Sequence, residues 1–228
     1  MKQIPLAIGH QEPRRFDHFV IGANAPVLAH LSQLAPGAPA VYLWGPSGTG
    51  KTHLLEAAAG QAQQRGGRVG WFDATHRAPW PIGEPWSLVV FDDCDRFDPA
   101  QQHAAFGLFV EATASGAPVL AAGQVPPIDL PLRDDLRSRL GWGHVFAMRP
   151  LSEPEVRGAL RQEADRRGVF LADEVMDFLL TRFDRDMKHL MGQLVRLDAF
   201  ALANKRALTV PLLKQMLADE SSSPSACG

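Results

Sequence analysis

The stretch that most limits how this chain can fold is "GPSGTGKT", residues 45–52. It fills every fixed position of the pattern G-x-x-x-x-G-K-[ST], and it stands where that pattern must stand, between an apolar run and a helix-forming one. The glycines free the backbone to curl its N–H groups around phosphate oxygens, and the helix that follows adds its partly positive end. All eight residues, Gly45, Pro46, Ser47, Gly48, Thr49, Gly50, Lys51 and Thr52, are therefore expected at a nucleotide. Lys51 is expected to face solvent in the empty loop and to reach the β- and γ-phosphates once they arrive. The Thr52 hydroxyl suits Mg²⁺.

Such a loop needs a strand before it and a helix behind it, which predicts an α/β chain. "AVYLW" (40–44) is that strand, and the helix from Lys51 to about Arg65 stops at Gly66-Gly67. Further strands are expected at "RVGWF", "SLVVF", "APVLAA" and "HVFAM", with a Pro-rich loop over residues 73–86. Asp98, Pro99 and Gln101 read as the capped start of a helix that Gly116 ends, and a short helix is expected near 133–140. Strands alternating with helices predict a parallel five-stranded αβα sandwich, with ligands at the carboxyl ends of the strands. After Pro150 the pattern turns helical as far as Leu217, opening on a Ser152–Glu155 capping box and broken at Gly168, Asp184-Arg185 and Arg206-Ala207. The expected division is an N-terminal peptide (1–12), a nucleotide-binding αβα subdomain (13–150), a small helical lid subdomain (151–218) and a disordered tail (219–228).

"LVVFDD" supplies a second half to the phosphate loop. Asp92, at the end of an apolar strand, can reach a magnesium ion directly or through water, and Asp93 can orient or polarise an attacking water. Strand-terminal carboxylates also serve as plain helix caps. Little else in the composition points to chemistry. A net charge of −2 gives no global basic field for nucleic acid or membrane, and Cys94 and Cys227 cannot build a disulfide framework or a zinc site. With no signal peptide and no apolar run near the ~20 residues of a membrane span, the chain is expected in the cytoplasm, away from membranes.

Phosphate loop, strand-end acids and trailing helices together resemble the AAA+ P-loop NTPases. "RRFDHFVIGAN", "GKTHLL", "SRLGWG" and "DRDMK" are similar to segments of the DnaA-related branch, and the likeness is strongest to its regulatory inactivators, the Hda group, over roughly residues 1–218. The resemblance implies that Phe19, Val20 and Ile21 line the adenine pocket; an apolar strand packed on the core is the other reading. It implies that Gln124 takes the sensor 1 position at the end of the fourth strand, where Asn or Asp is more usual. Arg139, in "LRSRLGWG", matches the arginine finger, which acts in trans on the nucleotide of a neighbouring subunit; the alternative is a surface arginine paired with Asp134 or Asp135, and Arg137 is the nearest rival for the role. Arg185, in "DRDMK", matches sensor 2, or else bonds to Asp184.

The departures narrow the function. DnaA-type initiators carry extra helical residues between the second and third strands, where this chain has only the Pro-rich loop of residues 73–86, and a helix-turn-helix DNA-binding domain, which is not expected here. The N-terminal "MKQIPLAI" resembles the Q-x-x-[LM] peptides that dock on the replicative sliding clamp, which would place Gln3, Ile4 and Leu6 in an apolar pocket; a frayed leader is the other reading. The resemblance thus implies a negative regulator of replication initiation that holds ADP or ATP with Mg²⁺, docks on the DNA polymerase III sliding clamp (beta subunit) and so reaches DNA indirectly, and promotes ATP hydrolysis on DnaA through Arg139. Whether it is an enzyme in its own right and whether it self-associates are open. The alternatives are an active ATPase of helicase-loader type and a passive nucleotide-binding adaptor.

Overall fold

The computed structural model describes residues 14–183 and 186–221. Five strands, β1 (Val41–Trp44), β2 (Val69–Phe72), β3 (Leu88–Phe91), β4 (Val119–Gly123) and β5 (His144–Ala147), form one parallel sheet in the order β2-β3-β4-β1-β5. Four helices belong with it: α1 (Ala25–Ser32), α2 (Lys51–Gln64), α3 (Pro99–Ser115) and α4 (Asp134–Trp142). The remaining four are α5 (Glu153–Arg166), α6 (Asp173–Arg182), α7 (Met187–Asn204) and α8 (Val210–Ser221).

The central strands β1, β3 and β4 are apolar throughout because both their faces are covered, whereas the edge strand β5 is largely exposed. Alternate residues feed two separate cores. Tyr42, Val89, Phe91, Val119 and Ala121 pack with Leu108 of α3 and Leu136 of α4 on one face. Val41, Leu43, Leu88, Val90, Leu120 and Ala122 pack with Leu31 of α1 and Leu54 of α2 on the other. Each fully buried Leu or Val contributes about 1.5–3 kcal/mol of transfer free energy, so period-two patterning carries most of this part of the fold. The helix borders follow from local chemistry. The Asp98 carboxylate accepts from the Gln101 N–H at 2.8 Å while the Gln101 side chain accepts from the Asp98 N–H, and Gly116, at φ 77°, ends α3 in the left-handed region.

Two features depart from the sequence pattern. Helix α1 is not announced: it has no side-chain cap, and only Val27 and Leu31 mark its buried stripe. The Pro-rich loop is tied down, since Trp80 is buried and stacks on Phe72 at 4.7 Å, and the Gln101 side-chain amide donates to the carbonyls of Ala74 and His76. A large aromatic held this way makes the loop part of the first core.

Contacts divide the chain into two compact units, one of Lys51–Met148 with the chain up to Gly45, the other of Arg149 onward with Pro46–Gly50. The second unit has its own core, in which Leu160, Met176, Leu179, Leu190, Leu194, Leu197, Leu212 and Leu213 are buried. Its first helix opens on the expected capping box: the Ser152 backbone N–H donates to Glu155 at 2.7 Å. Salt bridges from Arg157 to Asp177 and from Arg161 to Asp173 link α5 to α6 on the surface; exposed pairs of this kind contribute at most about 1 kcal/mol each.

Candidate functional site

Strand β1 runs into the glycine-rich turn and α2 leaves it at Lys51. Gly45, Gly48 and Gly50 all hold positive φ, at 153°, 79° and 89°. At Gly45 a side chain is also barred by space, because a Cβ there would stand 2.5 Å from the Met148 carbonyl oxygen. The Met148 N–H in turn donates to the Trp44 carbonyl at 2.6 Å. The entry to the loop is thus fixed by backbone packing.

Lys51 is buried, contrary to the expectation that it faces solvent. Its ammonium donates to the Gly45 carbonyl at 2.7 Å, closing the loop on itself. Burial pushes its pKa down, while Asp93, Asp92 and Asp95 oppose that. A lysine whose ammonium is bonded at the mouth of the loop, with three acids nearby, is placed to meet an incoming phosphate.

The Thr52 hydroxyl donates to Asp92 Oδ2 at 2.8 Å, and the Asp93 N–H donates to Asp92 Oδ1 at 3.1 Å. Asp92 itself is 7% exposed, and burial pushes its carboxyl pKa up while the bonds from Thr52 and the Asp93 N–H and the nearby Lys51 pull it down. A divalent cation held by Thr52 and Asp92 would relieve that penalty with the hard oxygen donors magnesium prefers. Asp93 stands at φ 47°, a left-handed conformation that aspartate tolerates at a cost of order 1 kcal/mol and that clusters at functional turns. The chemistry of the donor set fits a magnesium–nucleotide complex.

The other expected site residues fall unevenly. Phe19 is buried against the α2 core and tilts on the His53 ring at 5.5 Å, whereas Val20 is half-buried and Ile21 is 45% exposed. Gln124 lies exposed just beyond β4. The acid nearest the end of that strand is Asp95: its Oδ1 is buried, has no hydrogen-bond partner among the described residues, and lies 3.1 Å from where a Cβ on Gly123 would stand. Sequence reasoning passed over it, although "FDDCD" offers a third carboxylate in plain view. It passed over His53 as well. This ring's Nε2 donates to the Arg15 carbonyl at 3.0 Å, tying the segment before Phe19 to α2, and no sequence pattern signals such a bond. Gln3, Ile4, Leu6 and Arg185 lie outside the described residues.

Arg139 sits in α4, half-buried. Its guanidinium lies over the rings of Phe106 and Phe109, at 5.3 and 5.8 Å. Neither expected acid partner takes it: Arg133 holds Asp135 at 2.8 Å and Arg137 holds Asp134 at 2.6 Å. Among the described residues Arg139 makes no ion pair, and its rival Arg137 is neutralised at home.

Residues 153–217 match the family model described as "Hda, lid domain". The fold is similar to that of domain III of the Thermotoga maritima replication initiation protein DnaA, at TM-score 0.73 and 20% identity, covering 93% of this chain and 98% of that one. The chain has a DnaA-like fold, and its residues 153–217 match an Hda-type lid. AMPPCP-bound DnaA from Aquifex aeolicus matches at TM-score 0.69 and 22% identity, over 92% of this chain and 70% of that one. A Thermotoga maritima RuvB mutant matches at TM-score 0.65 and 15% identity, over 92% of this chain and 74% of that one. The fold is therefore shared with more than one kind of protein, while residues 153–217 carry the narrower likeness. Among the described residues no helix is long and apolar enough to cross a membrane.

Proposed function

We propose that this chain is a DnaA-related regulator of replication initiation that acts on ATP-bound DnaA through Arg139. The observation that carries the reading is the state of that arginine: an aromatic ledge holds it in place, and no acid of its own helix takes its charge. A guanidinium prepared in this way stabilises charge developing on a γ-phosphate presented by a second molecule. The Hda-type lid supports the choice of DnaA as that molecule.

The chain's own nucleotide, ADP or ATP, is held by Gly45–Thr52, with Lys51 giving up its bond to the Gly45 carbonyl in exchange for phosphate oxygens. Magnesium, when bound, supplies charge neutralisation on the phosphates. The hydroxyl of Thr52 and the carboxylate of Asp92 hold it, and Asp93 is placed to accept a proton from an attacking water. Support for nucleotide binding comes from the donor set itself and from the similar Aquifex aeolicus DnaA, which is AMPPCP-bound. Gln3, Ile4 and Leu6 dock the chain on the sliding clamp, and Arg185 closes the lid on the phosphates. Hydrolysis of DnaA-bound ATP on clamp-loaded DNA, with and without this protein and with each nucleotide, tests the reading. Stimulation that depends on Arg139 is expected; turnover by this chain alone, at the same rate with or without DnaA, would instead make it an ATPase in its own right.

A further inference from the structure

Two large apolar side chains of the second unit are left to solvent, Phe170 at 84% and Leu202 at 80% exposure, and both line one hollow of about 320 Å³. Buried Ala201 and half-buried Val169 and Leu208 form its base, continuous with the core of that unit. Two helix ends meet here and close in the same way. At the end of α5 the Gly168 N–H donates to the Asp165 carbonyl at 2.9 Å and the Val169 N–H to the Ala164 carbonyl at 3.0 Å. At the end of α7 the Lys205 N–H donates to the Leu202 carbonyl at 3.2 Å and the Arg206 N–H to the Ala201 carbonyl at 3.0 Å. In this closure the first residue takes the left-handed region that favours glycine, and the second is commonly apolar, packing back on its helix. The α5 end follows the rule, with Gly168 at φ 70° and then Val169. The α7 end departs from it twice, with Lys205 at φ 53° and then Arg206. Both departures put a cation in the lining of the hollow.

We propose that this hollow seats a partner peptide, which inserts an apolar side chain between Phe170 and Leu202 and sets flanking carboxylates against Lys205 and Arg206. Charge complementarity selects the occupant. Among the described residues neither cation makes an ion pair, and the Arg206 guanidinium donates to the neutral Gln215 side chain at 3.2 Å. Asp198, the acid of the lining, has its own counter-charge in Arg167 at 3.7 Å. A nucleic acid or an anionic bilayer calls for a longer run of cations and would meet that aspartate. The ends of this chain have the wrong composition: residues 222–228 hold no acidic side chain, and residues 1–13 hold only Glu12, away from the aliphatic residues 4–8. An acidic, amphipathic segment of another protein matches both the apolar base and the cationic edge. The proposal is independent of the role assigned to Arg139.

Fluorescence anisotropy of a short labelled peptide carrying a phenylalanine and a leucine between aspartates, titrated with the full chain, tests it. The parent should bind, and binding should weaken as salt is raised. Lys205→Glu with Arg206→Glu should weaken it by about tenfold or more, and should create binding of the matching peptide with lysines in place of aspartates. Phe170→Ser with Leu202→Ser should weaken both peptides alike. All four residues are exposed, so thermal midpoints should match the parent; if the double serine variant does not fold, Leu202→Ser alone and the charge-reversed pair carry the test. No binding of the acidic peptide by the folded parent overturns the proposal, as does equal binding of an uncharged peptide with the same apolar residues. Tighter capture of duplex DNA or anionic vesicles, lost in the same variants, would assign the surface to a polyanion and overturn the occupant. Self-association of the parent that these variants abolish would assign it to a second copy, with the same consequence.

Discussion

The phosphate loop with its strand-end acids and the outer face of α4 both hold charges in partly apolar surroundings, yet they solve the problem differently. At the first, Lys51, Thr52 and Asp92 are bonded within the chain, Lys51 to the Gly45 carbonyl and Thr52 to the Asp92 carboxylate. At the second, Arg139 rests on two aromatic rings and Trp142 is left to solvent. The first arrangement is satisfied by itself and must exchange bonds to take a ligand. The second has no ion pair at Arg139 among the described residues, so an incoming anion would displace none there. The contrast is what a protein needs if it holds its own nucleotide steadily and acts on another chain's nucleotide transiently.

The largest effect that can break this contrast is the loss of Arg139. Arg139→Ala should cut stimulated hydrolysis on DnaA by about 10³-fold or more, the scale of other arginine fingers, with little change in this chain's own nucleotide affinity by calorimetry. If the variant loses its own nucleotide instead, the two regions are one site. Next come two tryptophans with opposite roles. Trp80→Ala should lower unfolding free energy by about 3–5 kcal/mol, because it empties a stacked, buried position, whereas Trp142→Ala should change denaturant midpoints by no more than about 0.5 kcal/mol. Equal losses would mean that Trp142 belongs to the core.

Lys51→Ala gives a smaller and more local change. Removing a charge-assisted bond to phosphate should weaken nucleotide binding by about 1.5–3 kcal/mol, or roughly 10- to 100-fold, and unaltered affinity would take Lys51 out of the site. The smallest effect is with pH. Burial lowers the pKa of both His30 and His53, so the folded state binds fewer protons than the unfolded chain just below pH 6.5. Stability should therefore rise with pH through that window and fall slightly as pH drops below about 6.5. His53→Gln should flatten the slope seen in thermal midpoints, and a slope of the opposite sign would show that the rings gain a proton on folding.

How much of this was legible beforehand varies with the range of the interaction responsible. The five strands, the capped start of α3, the Ser152–Glu155 box at α5 and the phosphate loop all arise from periodicity or from contacts a few residues apart, so they stand in the sequence. Helix α1 does not, since its buried stripe is two residues wide and its cap is absent. The Pro-rich loop reads as loose because nothing local shows that Trp80 finds Phe72 or that Gln101 reaches the carbonyls of Ala74 and His76.

By itself, the sequence determined that this protein has a phosphate loop between strand and helix, carboxylates at the end of the third strand, and a helical segment after the sheet. Those are features of spacing, and spacing along a chain of fixed geometry places residues on one strand end or one helix face without help from afar. Tertiary structure alone decided that Lys51 turns back to the Gly45 carbonyl, that an Asp95 carboxylate oxygen is buried beside the end of β4 where Gln124 is exposed, and that Arg139 rests on Phe106 and Phe109 with no ion pair among the described residues. In each case the outcome depends on which side chains burial brings within hydrogen-bond or Coulomb range, and that is settled only when separate elements pack, because the cost of an unpaired buried charge is set by its final surroundings and not by its neighbours in sequence.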